Sequence, residues 1–121
     1  MAKPHRRYIR EGELYAELEN LPRKNYYIFL FNDMILVTKK MTGVFGTGTP
    51  MYKYLAEIEL AHNTQIIPGN KKAAKASFAL MSKGIVYNFV ADTPDDQTTW
   101  VEALNDVCKK LAVTLRKGDY V

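Results

Sequence analysis

A chain of 121 residues is long enough for one domain with its own core and too short for several. With 47% hydrophobic and 25% charged residues and no apolar run near membrane-spanning length, it reads as a soluble globular domain, which excludes a disordered or helix-spanning chain. A single cysteine, Cys108, excludes an internal disulfide, and a net charge of +4 permits an anionic partner without demanding one.

Met1–Arg10 is basic and polar with no apolar stretch behind it, so no signal peptide is expected, and Met1–Arg7 reads as an irregular or tethering segment. From Tyr8 to Leu18 the pattern has a period of two. Gly12, Leu14, Ala16 and Leu18 fall on one side and Glu11, Glu13, Tyr15 and Glu17 on the other, which predicts a half-buried strand. Glu19–Asn25 is polar and holds a proline, so it is read as a loop.

The stretch Asn25–Lys40 organises the rest. Two apolar runs, Tyr26–Phe31 and Met34–Thr38, flank Asn32-Asp33, and both are rich in β-branched and aromatic residues. A polar pair in mid-run argues against one long helix and for a tight antiparallel hairpin. Met41–Met51, crowded with glycine and threonine, is read as a loop. Tyr52–Leu60 alternates again, placing Tyr52, Tyr54, Ala56, Ile58 and Leu60 on one face against Lys53, Glu57 and Glu59. A short strand at Thr64–Ile67 stops at Pro68-Gly69, and Lys71–Lys75 is a charged loop. Strands at Ala76–Ser82 and Ile85–Ala91 flank a two-residue turn, Lys83-Gly84.

The period then changes. Thr93 can cap a helix, Pro94 suits its first position, and Asp95 and Asp96 favour the positive end of the helix dipole. Trp100, Ala103, Leu104, Val107, Cys108 and Leu111 follow at three- and four-residue spacing, an amphipathic stripe. Beyond Leu115 a frayed tail is expected.

Seven strands and one helix in this order resemble the pleckstrin-homology (PH) fold. Arg10-Glu11-Gly12-Glu13-Leu14 is similar to the family's first-strand start. Phe29–Thr38 resembles the second hairpin of PH domains that follow a Dbl-homology domain in Rho guanine-nucleotide exchange factors. Phe89-Val90-Ala91, then Thr93–Asp96 and Trp100, resemble the last strand, the cap and the helix tryptophan. The resemblance implies a mainly β fold: a seven-stranded antiparallel barrel or sandwich of two near-orthogonal sheets, closed by one C-terminal α-helix. The domain is expected at 8–113, between a tail or linker at 1–7 and a tail at 114–121.

For function, the resemblance implies a non-catalytic module that regulates or localises an adjacent Dbl-homology domain, through weak binding to membrane phosphoinositides. The alternative is a protein-docking module that does not bind lipid. The exchange chemistry belongs to the Dbl-homology domain, and a Rho-family GTPase is a partner of the parent protein. Cytoplasmic location with peripheral recruitment to membrane is expected, with no cofactor and no nucleic acid. Carrying the family's lipid-binding positions onto this chain places Ala16 where a lysine is needed, and the second-strand pattern at Arg23-Lys24-Asn25-Tyr26 lacks its downstream arginine. The phosphoinositide or membrane candidates are therefore Arg23, Lys24, Lys53 and Lys83, with Arg10, Lys39 and Lys40 as secondary ones. Convergence of these cations at one open end would favour lipid, and scatter would favour docking.

Enzyme chemistry finds little support. His5 and His62 have no ligand-type neighbours at metal spacing, Cys108 lies on the apolar stripe, and Gly43–Gly48 lacks the lysine of a phosphate loop. Outward-facing Tyr15, Tyr27 and Phe31, if clustered with Phe45, would mark a partner surface.

Overall fold

The protein is described from a computed structural model covering residues 6–41, 51–69 and 76–116. The loop readings at Met41–Met51 and Lys71–Lys75, together with His5, Phe45 and the outer tails, lie wholly or largely outside the described residues.

The strands are β1 (Tyr8–Glu17), β2 (Lys24–Phe31), β3 (Met34–Met41), β4 (Met51–Glu59), β5 (Gln65–Pro68), β6 (Ser77–Ser82) and β7 (Ile85–Val90), followed by α1 (Pro94–Arg116). Each begins and ends close to where its hydrophobic period predicts. All seven strands join one antiparallel sheet in the order β4-β3-β2-β1-β7-β6-β5. β1 is the shared strand. It pairs with β2 from Tyr8 to Ala16 and with β7 from Tyr15 to Glu17, so the chain passes from one half to the other without leaving the hydrogen-bonded sheet.

The two halves close on a single core. Leu14, Ala16, Tyr26, Ile28, Leu30, Ile35 and Val37 from the first half meet Phe78, Leu80 and Phe89 from the second, and Trp100, Leu104 and Val107 of α1 complete the cluster. Trp100 is 1% exposed. Full burial of an apolar side chain stabilises by about 1.5–3 kcal/mol, so the helix stripe is a main reason the open end stays closed. Gly12 lies under the indole, where a β-carbon would come within 3.5 Å of Trp100 Cζ2. The Asp96 amide donates to Thr93 Oγ1 at 3.1 Å, the helix cap that the sequence predicts.

Three local features differ from the simple pattern or add to it. Lys83 and Gly84 both take positive φ, 52° and 80°, the mirror-image turn whose twist suits a two-residue hairpin. The Asn32-Asp33 turn uses no such geometry; it is held from outside. The Arg6 guanidinium donates to both Asp33 oxygens at 2.8 and 2.9 Å, the Arg7 amide donates to Asn32 Oδ1 at 2.7 Å, and the Asn32 amide donates to the Arg7 carbonyl at 3.0 Å.

The third feature is a correction. Val37 pairs with Ala56 but Thr38 pairs with Tyr54, so Leu55 is an extra residue in β4, a β-bulge. Ala56 and Ile58 face the core as the pattern predicts. Tyr52 and Tyr54, expected on that same face, turn to the outer side, and Lys53 turns to the inner one.

Candidate anion-binding rim

Beyond the bulge, the ends of β3 and β4 form a two-stranded ribbon exposed on both faces: Lys39, Lys40, Tyr52, Lys53 and Tyr54 are all exposed. Its two faces differ chemically. On the outer face the Tyr52 ring packs on Tyr27 and Phe29, with centroids 5.0 and 5.1 Å away, and Lys40 Nζ lies 5.0 Å from the Tyr27 ring centre. Tyr27 donates to Glu11 Oε2 at 2.7 Å; that hydrogen bond, followed by burial, raises its phenol pKa well above the usual value.

On the inner face Lys39 stands directly opposite Lys53. Lys24 lies on the same side of the sheet. It pairs with the fully buried Ala16, and its Nζ lies 5.7 Å from the centre of the Tyr26 ring, itself a core residue. The three lysines therefore share the inner face where the sheet runs past its core. Among the described residues, none of them forms an ion pair. Like charges placed opposite each other across a strand pair repel, by up to about 1 kcal/mol. Such an arrangement favours an anion seated between them.

The four residues singled out from the sequence are not brought together as one group. Lys24 and Lys53 share the inner rim. Arg23, at the mouth of the β1–β2 connection, is paired with Glu17. Lys83, in the β6–β7 turn, reaches Glu59 Oε1 at 2.6 Å, and that contact raises its pKa. Glu59 lies six residues along β4 from Lys53, roughly 20 Å at the usual strand rise. Arg10, a secondary candidate, points inward: its guanidinium stacks 4.5 Å from the Trp100 ring centre and contacts Asp96 at 3.4 Å. Lys39, also a secondary candidate, comes to stand opposite Lys53 only through the shifted register.

The hollow next to the rim does not suit phosphate. It has a volume of about 160 Å3, and its lining includes Val37, Ala56, Ile58 and Tyr87 beside two carboxylates, Glu19 and Glu57. An anion would be repelled from it and held at the lysines instead. Elsewhere, Cys108 is buried in the helix stripe and burial pushes its thiol pKa up, which opposes a nucleophilic role. Among the described residues no group of three or more His, Cys, Asp or Glu side chains is placed to hold a metal, and no helix is long and apolar enough to cross a membrane. Tyr27 and Phe31 do lie on the outer face, but they pack with Phe29, Tyr52 and Tyr8, while Tyr15 stands apart from those ring contacts.

A sheet that shares one strand between two facing halves and is plugged by a single tryptophan-bearing helix is the PH arrangement. The family model described as the SOS1/NGEF-like PH domain matches residues 3–107. The chain belongs to that family. In structure it is similar to the DH/PH fragment of PDZRHOGEF solved in complex with human RhoA, with a TM-score of 0.65 and 20% identity over 87% of this chain. It is also similar to the linker-DH/PH domains of p115-RhoGEF, at 0.65, 15% and 88%, and to the activated truncation of Vav1, at 0.68, 20% and 84%. These likenesses establish the fold. The chain spans 29%, 30% and 26% of those three longer chains, respectively. A curated relative, "Probable serine/threonine-protein kinase roco5" of Dictyostelium discoideum, is 26% identical over 114 residues, which is 88% of this chain and 4% of that protein.

Proposed function

We propose that this domain is the non-catalytic PH domain of a Rho exchange factor, regulating or localising an adjacent Dbl-homology domain by weak association with phosphoinositide-bearing or other anionic membrane. The family and the DH/PH fragments among its structural neighbours support the setting. One observation carries the membrane part: Lys39 opposite Lys53, with Lys24 on the same face. Near an anionic leaflet each such cation adds about 1 kcal/mol, which gives reversible, salt-sensitive attachment. A cytoplasmic protein recruited peripherally to membrane, acting with a Rho-family GTPase in the parent protein, follows from this reading.

The test is co-sedimentation with phosphoinositide vesicles and with charge-matched vesicles lacking them, at low and physiological salt. Pelleting is expected, and a Lys24→Ala/Lys53→Ala variant should lose about ten-fold or more in partition, from two cations at about 1 kcal/mol each. An Arg23→Ala/Lys83→Ala variant should lose less, because Glu17 and Glu59 already answer those charges. Absence of pelleting with either vesicle would overturn the membrane reading in favour of protein docking.

A further inference from the structure

The far end of β1 from the lysine rim holds a cleft of about 390 Å3, walled by Arg7 and Ile9 at the start of β1, Asn32 of the β2–β3 turn, and Val107, Lys110 and Leu111 of α1. Tyr8, at its mouth, lies eight residues along β1 from Ala16, the partner of Lys24, roughly 27 Å at the usual strand rise. Its walls are fixed in advance. Tyr8 pairs with Phe31 and Arg10 with Leu30, so Ile9 is an extra residue, a β-bulge, and a bulge re-aims a side chain. Ile9 stays 37% exposed at the cleft, while Val107 in its floor is 2% exposed. The Arg7 backbone is held twice by Asn32, whose side chain accepts from the Arg7 amide and whose own amide donates to the Arg7 carbonyl. A wall held in this way needs little ordering when a ligand arrives.

The charge at the mouth is uneven. Lys110 lies 3.1 Å from Asp106, which also lines the cleft, and the two answer each other. Arg7 is exposed and, among the described residues, forms no ion pair. One uncompensated guanidinium therefore stands above apolar walls. We infer that the cleft binds a small amphiphilic anion, its head on Arg7 and its apolar body against Ile9, Val107 and Leu111. Size selects a small molecule over a partner helix. The volume lies at the lower end of small-ligand sites, and α1 lends only Asp106 to Leu111, about 8 Å of wall. Helix anchors at i, i+4 and i+7 need about 10 Å. Distance from the rim favours a dissolved ligand over one held in a bilayer there, and the site stands whether or not that rim meets a membrane.

The probe is octanoate, followed by the amide chemical shifts of the isotope-labelled chain, with octanol and octylammonium as chain-matched neutral and cationic controls. The expected result is saturable shifts centred on Arg7, Ile9, Asn32 and Lys110, with octanol binding about ten-fold more weakly and octylammonium more weakly still. Arg7→Ala should lower octanoate affinity about ten-fold and leave octanol unchanged, the loss of one charge-assisted hydrogen bond. Ile9→Ser should weaken both ligands, from the apolar area no longer removed from water. Both residues are exposed, so neither substitution opens the core. Lys24→Ala/Lys53→Ala should bind octanoate as wild type does. Equal affinity for acid and alcohol, or undiminished octanoate binding by Arg7→Ala, would overturn the inference. Shifts that never saturate, or that follow the lysine rim instead, would overturn it too.

Discussion

Trp100 is buried against Gly12 and beneath the Arg10 guanidinium, and its indole nitrogen finds no acceptor among the described residues. Its contribution is therefore volume and ring face, with the N–H a cost. Removing the whole ring opens a cavity and should cost about 3–5 kcal/mol, as buried aromatic-to-alanine changes do. Trp100→Phe keeps a ring and deletes the unpaired donor, so about 1–2 kcal/mol is expected, the lost area partly offset by the relieved desolvation. Urea titration of the two variants checks this. Equal losses would mean that the indole N–H is bonded in solution. The sequence discloses this residue by helical spacing and by the cap ahead of it. It does not disclose Arg10 as the lid, because a cation next to Glu11 reads as one more solvated strand residue.

At the scale of the element, the β3–β4 ribbon carries a conflict that packing does not require. Lys39 and Lys53 oppose each other where a Lys–Glu pair would be favourable. Lys53→Glu should raise stability by roughly 0.5 kcal/mol while lowering vesicle partition about ten-fold or more, a gain and a loss measured on one variant by urea midpoint and co-sedimentation. A fall in both would mean that the lysines act in the fold and not on an anion. This ribbon also shows where sequence reading stops. Tyr52, Tyr54, Ala56, Ile58 and Leu60 are apolar at every second position, so the period runs unbroken through Leu55. The bulge exists only in the pairing with β3, and pairing is not written in either strand alone. The hairpin around Asn32-Asp33 was legible because two β-rich runs and a polar break suffice to define it. Its clamp by Arg6 and Arg7 was not, since those contacts join positions 25 and 27 residues apart.

Across the whole molecule, several groups hold protons more tightly when folded. Hydrogen bonding to Glu11 and burial raise the Tyr27 phenol, burial raises Tyr26 and is the chief cause at Tyr8 and Tyr87, and partner carboxylates raise Arg6 and Lys83. A raised folded-state pKa gives stability that is complete below the unfolded value, 10.0 for tyrosine, and is lost as pH rises through the folded one. The urea midpoint should therefore hold steady from about pH 7 to 9 and fall beyond about pH 10, with Tyr27→Phe flattening the fall. A flat midpoint across that range would show that the phenols ionise alike in folded and unfolded chains.

The bulge at Leu55 has a consequence beyond the present sequence. Because side chains alternate along a strand, taking Leu55 into register opposite Thr38, so that the bulge is lost at constant length, exchanges what the ribbon shows to each side without touching Ala56, Ile58 or the core. With Leu55 opposite Thr38, Tyr54 would stand opposite Lys39 on the inner face, and Lys53 would lie on the outer side with the aromatic rings. A chain of this pattern that pairs without the bulge shows an aromatic inner rim in place of a cationic one, so the affinity of such a domain can change its chemical kind at little cost to its stability.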